Sequence, residues 1–161
     1  MFGRRLVVPV LLDSARTLVL DDSVGTSQPC ASCGFDLWLP IANLSVSRVG
    51  LYDDARFPGR VIVSARDHFE HLDEIAPRYL AQFMTDVQRV CTALRTLDGV
   101  ERTNMAILGN RDPHVHAHVF PRRPSETNSG RAPWDQAAAL TKLSADVREH
   151  LRLEIAQALL D

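Results

Sequence analysis

The sequence predicts an α+β domain, a mostly antiparallel sheet built around one long helix. Three observations carry this reading. Residues 114–121 run His-Val-His-Ala-His-Val-Phe-Pro, an alternation with the two-residue period of a β-strand. Val46–Leu51 and Arg60–Ser64 read as two further strands, joined by a turn over Tyr52–Gly59 that Asp53-Asp54 and Pro58-Gly59 signal. Residues 77–97 place Leu80, Phe83, Met84, Val87, Val90, Cys91, Leu94 and Leu97 at three- and four-residue spacing, which predicts an amphipathic helix. Pro77 suits its first turn and Asp98-Gly99 its end.

The remaining elements follow in order. Residues 1–29 read as an N-terminal extension, with short strands over Leu6–Leu12 and Thr17–Leu20 and a loop at Ser23–Pro29. Arg4-Arg5 and the apolar run after it superficially suggest a signal peptide. Pro9 interrupts that run, Asp13 closes it and no small-residue cleavage site follows, so a cytoplasmic protein is expected. The core domain is read as 30–124. Asn104–Leu108 is a strand, and Gly109–Pro113 turns into the histidine strand. Residues 125–161 form a C-terminal loop and a helix over about 145–160, with Ser144 as its cap.

Composition excludes several classes. The 161 residues suit one domain with a sizeable core. Lys and Arg number 18 against 20 Asp and Glu, a net charge of −2 that offers no electrostatic case for a nucleic acid polymer or a membrane surface. No apolar run reaches membrane-spanning length. Three cysteines are too few for a disulfide scaffold.

The chemistry concentrates in residues 114–118. As a strand, the segment puts His114, His116 and His118 on one face and Val115, Ala117 and Val119 on the other. A single metal held by all three is sterically poor: at about 3.3 Å per residue, positions i and i+4 lie roughly 13 Å apart, against metal–nitrogen bonds of about 2 Å. Nucleophilic catalysis fits better. A neutral imidazole can attack phosphorus, and a neighbouring imidazole on the same face can donate to the departing oxygen.

His114-Val-His-Ala-His-Val-Phe120 resembles the signature of the histidine triad family, and Pro121-Arg122 continues it. The resemblance spans roughly residues 30–124. Arg60–His68 resembles the family's strand ending in a histidine, and Asn104–Asn110 the strand and turn that lead into the triad. It implies a five-stranded antiparallel sheet with one long helix across it and a C-terminal helix. It also implies a homodimer that hydrolyses or transfers at the α-phosphorus of a nucleoside phosphoanhydride, phosphoester or phosphoramidate, with a lean toward diadenosine polyphosphate hydrolases. By resemblance His116 is the nucleophile, His118 contacts phosphate and leaving group, and His114 orients the site. Asp53, with Asp54 beside it, is the expected ribose anchor, and Asn110 and Arg111 are expected at the phosphates. Arg122 and Arg123 are read either as phosphate contacts or as solvated, and Trp134 as a base-stacking or rim residue.

Cys30-Ala-Ser-Cys33 alone is ambiguous between metal, redox chemistry and free thiols. A structural zinc requires two more ligands. The resemblance implies Cys30, Cys33, His68 and His114, with His71 as an alternative to His68. Cys91 is read as core and His150 as solvated. Two other functions stay open: a nucleotide-binding module without turnover, and a zinc-ordered interaction domain that docks a partner through residues 1–29.

Overall fold

The computed structural model describes residues 28–161 except 128, 136 and 137. The strands expected within 1–27 lie outside the described residues. Among the described residues there are five strands: β1 (Pro40–Asn43), β2 (Ser47–Leu51), β3 (Val61–Ala65), β4 (Arg102–Ile107) and β5 (His116–Arg122). They form one fully antiparallel sheet in the order β1-β2-β3-β5-β4. Two helices, α1 (Pro77–Leu94) and α2 (Ala145–Leu160), complete the fold. The α+β architecture is the expected one. No helix among the described residues is long and apolar enough to cross a membrane.

The alternation in β5 assigns the two faces of the sheet. Val115, Ala117 and Val119 join Val49, Leu51, Val61, Val63 and Ala65 in the core, beneath Phe83, Val87, Val90 and Leu94 of α1. Burying such side chains contributes about 1.5–3 kcal/mol each. The histidines and Ile62 are left for the opposite face. Polar groups fix where the helix lies. Buried Asp86 of α1 accepts from Val46 N at 2.9 Å and Ser47 Oγ at 2.7 Å, and Tyr79 Oη donates to Val46 O at 2.8 Å. These bonds tie α1 to the start of β2.

Several expected boundaries shift by one to three residues. The helix stops at Leu94 rather than 97, because residues 95–97 close i→i−3 turns, among them Thr96 N to Ala93 O and Leu97 N to Leu94 O. Leu97 is buried all the same, so the apolar period outlasts the helix. The regular ladder of β5 begins at His116, leaving His114 in the turn just before it. Cys91 is partly buried against the core rather than enclosed by it. α2 begins at Ala145 with the Ser144 cap accepting from Val147 N, as its sequence predicts, and His150 is exposed on it. α2 packs on α1, β1 and β2.

Candidate functional site

The segment before β1 folds back over the histidine face. Gly34 takes a φ of +74°, which a side chain rarely tolerates, and turns the chain so that Gly34 N reaches Cys30 O at 2.7 Å and Cys30 N reaches Phe35 O at 2.8 Å. Phe35 lands flat on the histidines, with ring centroids 4.9 Å from His114 and 5.1 Å from His116. The chain can pass this close to the sheet because Gly50 lies beneath it. A Cβ there would meet Leu37 Cβ at 3.0 Å and Leu39 O at 3.2 Å.

This fold-back brings Cys30, Cys33, His68 and His114 together, with ligand atoms all within 4.8 Å of one another. Cys30 Sγ lies 3.7 Å from His68 Nδ1, and Cys33 Sγ lies 3.5 Å from His114 Nδ1. A tetrahedral ion with bonds of about 2.0–2.3 Å has edges of roughly 3.3–3.8 Å, so the cluster has the dimensions of a metal centre. His114 is prepared for it. Its Nε2–H donates to Ala65 O at 2.9 Å, which leaves Nδ1 with a free lone pair on the side of the thiols. Burial pushes the His114 pKa down, aided by the charges of His68, Arg48 and His116 and opposed by the Ala65 bond. Burial raises the Cys30 thiol, but bonds from the Cys33 and Ser32 backbone, with those to the Cys33 and His68 side chains, outweigh it and bring the thiol to about 7. His71 stays exposed and outside the cluster, so the alternative to His68 is set aside.

Beyond His114 the same face opens into a cleft of about 550 Å³, which His116 and His118 line with Phe35, Trp38, Tyr52 and Arg60. Each imidazole is held in one tautomer. His116 Nδ1 lies 2.7 Å from His114 O; a carbonyl only accepts, so Nδ1 carries the proton and Nε2 is a bare lone pair. The case of His118 is reversed. Arg60 Nη2 lies 3.2 Å from His118 Nδ1; guanidinium only donates, so Nδ1 is the acceptor and Nε2 carries the proton. The two rings meet edge to face at 4.9 Å. Burial, then the Arg60 charge and then His116 hold the His118 pKa down to about 3.

Not every expected residue reaches the cleft. Asn110 and Arg111 line it across from the histidines. Asp53 does not: it is buried, accepts from Leu143 N at 2.9 Å and pairs with Arg148 of α2 at 3.3 Å. The carboxylate expected at ribose therefore ties the C-terminal segment to the β2–β3 turn. Asp54 is fully buried and bridges Arg56 at 2.8 Å and Arg60 at 2.9 Å. Burial raises its pKa, but the bonds and charge of Arg56 and the bond from Arg60 prevail and lower it. Arg122 is also structural, bonded to Glu126 at 2.8 Å, to Asn104 Oδ1 and to Arg131 O. Arg123 binds Asp98 O and Pro58 O. Trp134 is exposed away from the cleft. The aromatic at the mouth is Trp38, 71% exposed and stacked on Tyr52 at 5.7 Å. Phe35, Trp38, Tyr52 and Arg60 were not foreseen as site residues. For Arg60 a signal existed: once Ile62 of β3 pairs with His118, the side chain two residues earlier, just before β3, falls on the same face.

A sheet face carrying three oriented imidazoles beside a metal-ligating cluster defines the class, and comparison with known proteins gives the family. The sequence matches the HIT domain over residues 45–125, and the chain belongs to that family. The fold is similar to that of a histidine triad protein from Bradyrhizobium japonicum, at 24% identity, with a TM-score of 0.68 over 75% of this chain and 90% of that one. A histidine triad protein from Sinorhizobium meliloti aligns at 23% identity, with a TM-score of 0.67 over 74% and 87% of the two chains. A zinc-bound histidine triad family protein from Mycobacterium smegmatis aligns at 22% identity, with a TM-score of 0.58 over 74% and 82%. Family membership and the histidine cluster together support a nucleotide-handling protein of the hydrolase type.

Proposed function

We propose that this protein hydrolyses or transfers nucleoside phosphates at the α-phosphorus through a nucleotidyl-His116 intermediate. One observation carries the reading: the His114 carbonyl fixes the proton of His116 on Nδ1, so its Nε2 lone pair faces a cleft of nucleotide size. In the first step Nε2 forms a bond to phosphorus while the P–O bond to the leaving group breaks, its electron pair departing on oxygen. The positive charge this creates on the imidazole is eased by the Nδ1–H bond to His114 O. His118 Nε2–H donates a hydrogen bond to the departing oxygen. In the second step water attacks phosphorus, the P–N pair returns to Nε2 and the water proton passes to solvent. Asn110 and Arg111 face the phosphates, where the guanidinium suits phosphate geometry. The Trp38–Tyr52 pair is the natural platform for a base.

Cys30, Cys33, His68 and His114 would hold zinc in this reading. The ion supplies structure: it ties the chain around Cys30 to the start of β5 and, by fixing His114, sets the carbonyl that orients His116. The reading also takes the protein as a homodimer, with exposed Met105 and Leu108 at the β4 edge suited to cover by a second copy. The experiment is a panel of dinucleoside polyphosphates, nucleoside phosphoramidates and nucleotidyl esters offered to wild type and to His116→Asn. Turnover by wild type and its loss in the variant is expected. A His116→Asn protein as active as wild type would sink the proposal.

A further inference from the structure

Among the described residues Arg60 is the one cation in the cleft hydrogen-bonded to a triad histidine, and three features hold it there. Asp54, with no exposed surface, accepts from Nη1 at 2.9 Å. The Tyr52 ring stacks on the guanidinium at 3.9 Å and the Phe120 ring at 4.3 Å. Its Nη2 reaches His118 Nδ1 at 3.2 Å. A planar group clamped between two rings and anchored by a buried carboxylate is not free to swing away from His118.

We propose that Arg60 is a positioning residue that keeps His118 uncharged with its proton on Nε2, and that this commits the site to leaving groups that depart as phosphate anions rather than as amines. The inference rests on the function proposed above and narrows its substrate class to nucleoside phosphoanhydrides.

The geometry supports this in two steps. Protonating His118 would put an N–H on Nδ1 facing the N–H of Arg60 and a cation against a cation. The groups facing His118 are Arg60 from just before β3, His116 from β5 and the ring of Tyr52 from the β2–β3 turn. Asp36, Arg111 and Asp112 line the same cleft, and Asp54 reaches His118 only through Arg60. The charged groups that bear on His118 are Arg60 and His116, and both disfavour a second proton on it. The low pKa of His118 agrees with this arrangement.

The second step concerns the leaving group. A neutral Nε2–H donates a hydrogen bond but does not surrender its proton near neutral pH. A phosphate oxygen, with a second pKa of about 6, leaves readily as an anion and needs no more than that bond. An amine or ammonia, whose conjugate acid titrates well above neutral pH, needs a full proton as its P–N bond breaks. Arg60 and Arg111 also line the cleft where a departing phosphate would sit.

The test has a spectroscopic arm and a kinetic arm. Long-range proton–nitrogen spectra of the ¹⁵N-histidine-labelled protein at pH 7 should show His118 protonated on Nε2 only, a result that needs no variant. Arg60→Gln should admit the other tautomer or the imidazolium, and Arg60→Lys should restore the wild-type pattern in part. In the kinetic arm, wild type should favour diadenosine triphosphate over adenosine 5′-phosphoramidate by at least about tenfold in kcat/KM. Arg60→Gln should narrow that ratio by about tenfold, with phosphoramidate turnover rising between pH 8 and 6. An imidazolium or an Nδ1–H tautomer in wild type would overturn the proposal, as would an unchanged substrate ratio in Arg60→Gln. If wild type turns over neither substrate, the leaving-group claim fails, and the hydrolase reading fails with it only if the whole panel above is refused as well. The ring spectrum then still decides whether Arg60 controls His118.

Discussion

His114 and His118 stand four residues apart on one face of one strand, yet their surroundings give them opposite work. At the His114 end, two thiols and a second imidazole converge on a free Nδ1, with the proton held on Nε2 by the Ala65 carbonyl. At the His118 end, a buried guanidinium occupies Nδ1 and the proton faces the cleft on Nε2. Both rings carry the proton on Nε2, but one turns its lone pair toward the thiol cluster and the other its N–H toward the cleft. Sequence spacing makes the three histidines look equivalent. What differentiates them is which fixed dipole or charge meets each Nδ1: thiols for His114, the strand's own carbonyl for His116 and Arg60 for His118.

Breaking the His114 end should have the largest effect. Under the zinc reading proposed above, Cys33→Ser or a chelator would open the link between the chain around Cys30 and the triad. Unfolding stability should fall by about 3 kcal/mol or more, because metal binding free energy is folding free energy. Denaturant titration with metal analysis checks it; an unchanged midpoint in metal-free protein would remove the metal from the account.

Breaking the His118 end should have a smaller effect on stability and a clear one on turnover. Asp54→Asn leaves Arg56 and Arg60 facing a neutral amide, a loss of about 3 kcal/mol for a buried pair broken on one side. With Arg60 loosened from His118, kcat should fall by about tenfold. The adjacent Asp53→Asn is the matched control. Its amide oxygen still accepts from Leu143 N and only the half-exposed bridge to Arg148 is lost, so stability should drop by about 1 kcal/mol or less with turnover unchanged. Equal kinetic losses in the two variants would contradict the division of labour between neighbouring carboxylates.

The His118 end should also show in the pH dependence of stability. The folded protein holds the His118 pKa near 3, whereas an unfolded histidine titrates near about 6.5. Between these values the unfolded state binds more protons, so stability rises with pH across the window. The contribution is complete above about pH 6.5 and is lost progressively as pH falls toward 3. Unfolding midpoints measured at pH 7 and pH 5 should differ less in His118→Gln than in wild type.

The sequence announced its regular elements wherever a period was long enough to see. The apolar spacing of α1, the Ser144 cap of α2 and the alternation of β5 all have local causes. β1 gave no comparable signal. It is four residues long, opens with a proline that has no N–H to donate and carries a bulge opposite β2. The metal cluster was legible only through the family pattern, since spacing cannot show that residues 30, 33, 68 and 114 meet. The partners of the turn aspartates were not legible for a physical reason. Adjacent carboxylates in a turn have no local preference for direction, and their partners, Arg148 for Asp53 and Arg60 for Asp54, are chosen by tertiary packing. The same packing hid Arg60, which reads in the sequence as no more than the first residue of a strand.

The most direct test of the central claim is mass spectrometry of protein mixed with a dinucleoside polyphosphate and quenched at alkaline pH, where a phosphorus–nitrogen bond survives. The account predicts a nucleotide adduct on the peptide carrying His116, formed within one turnover and missing from His116→Asn. Turnover with the adduct on another residue, or undiminished turnover in His116→Asn, would contradict it.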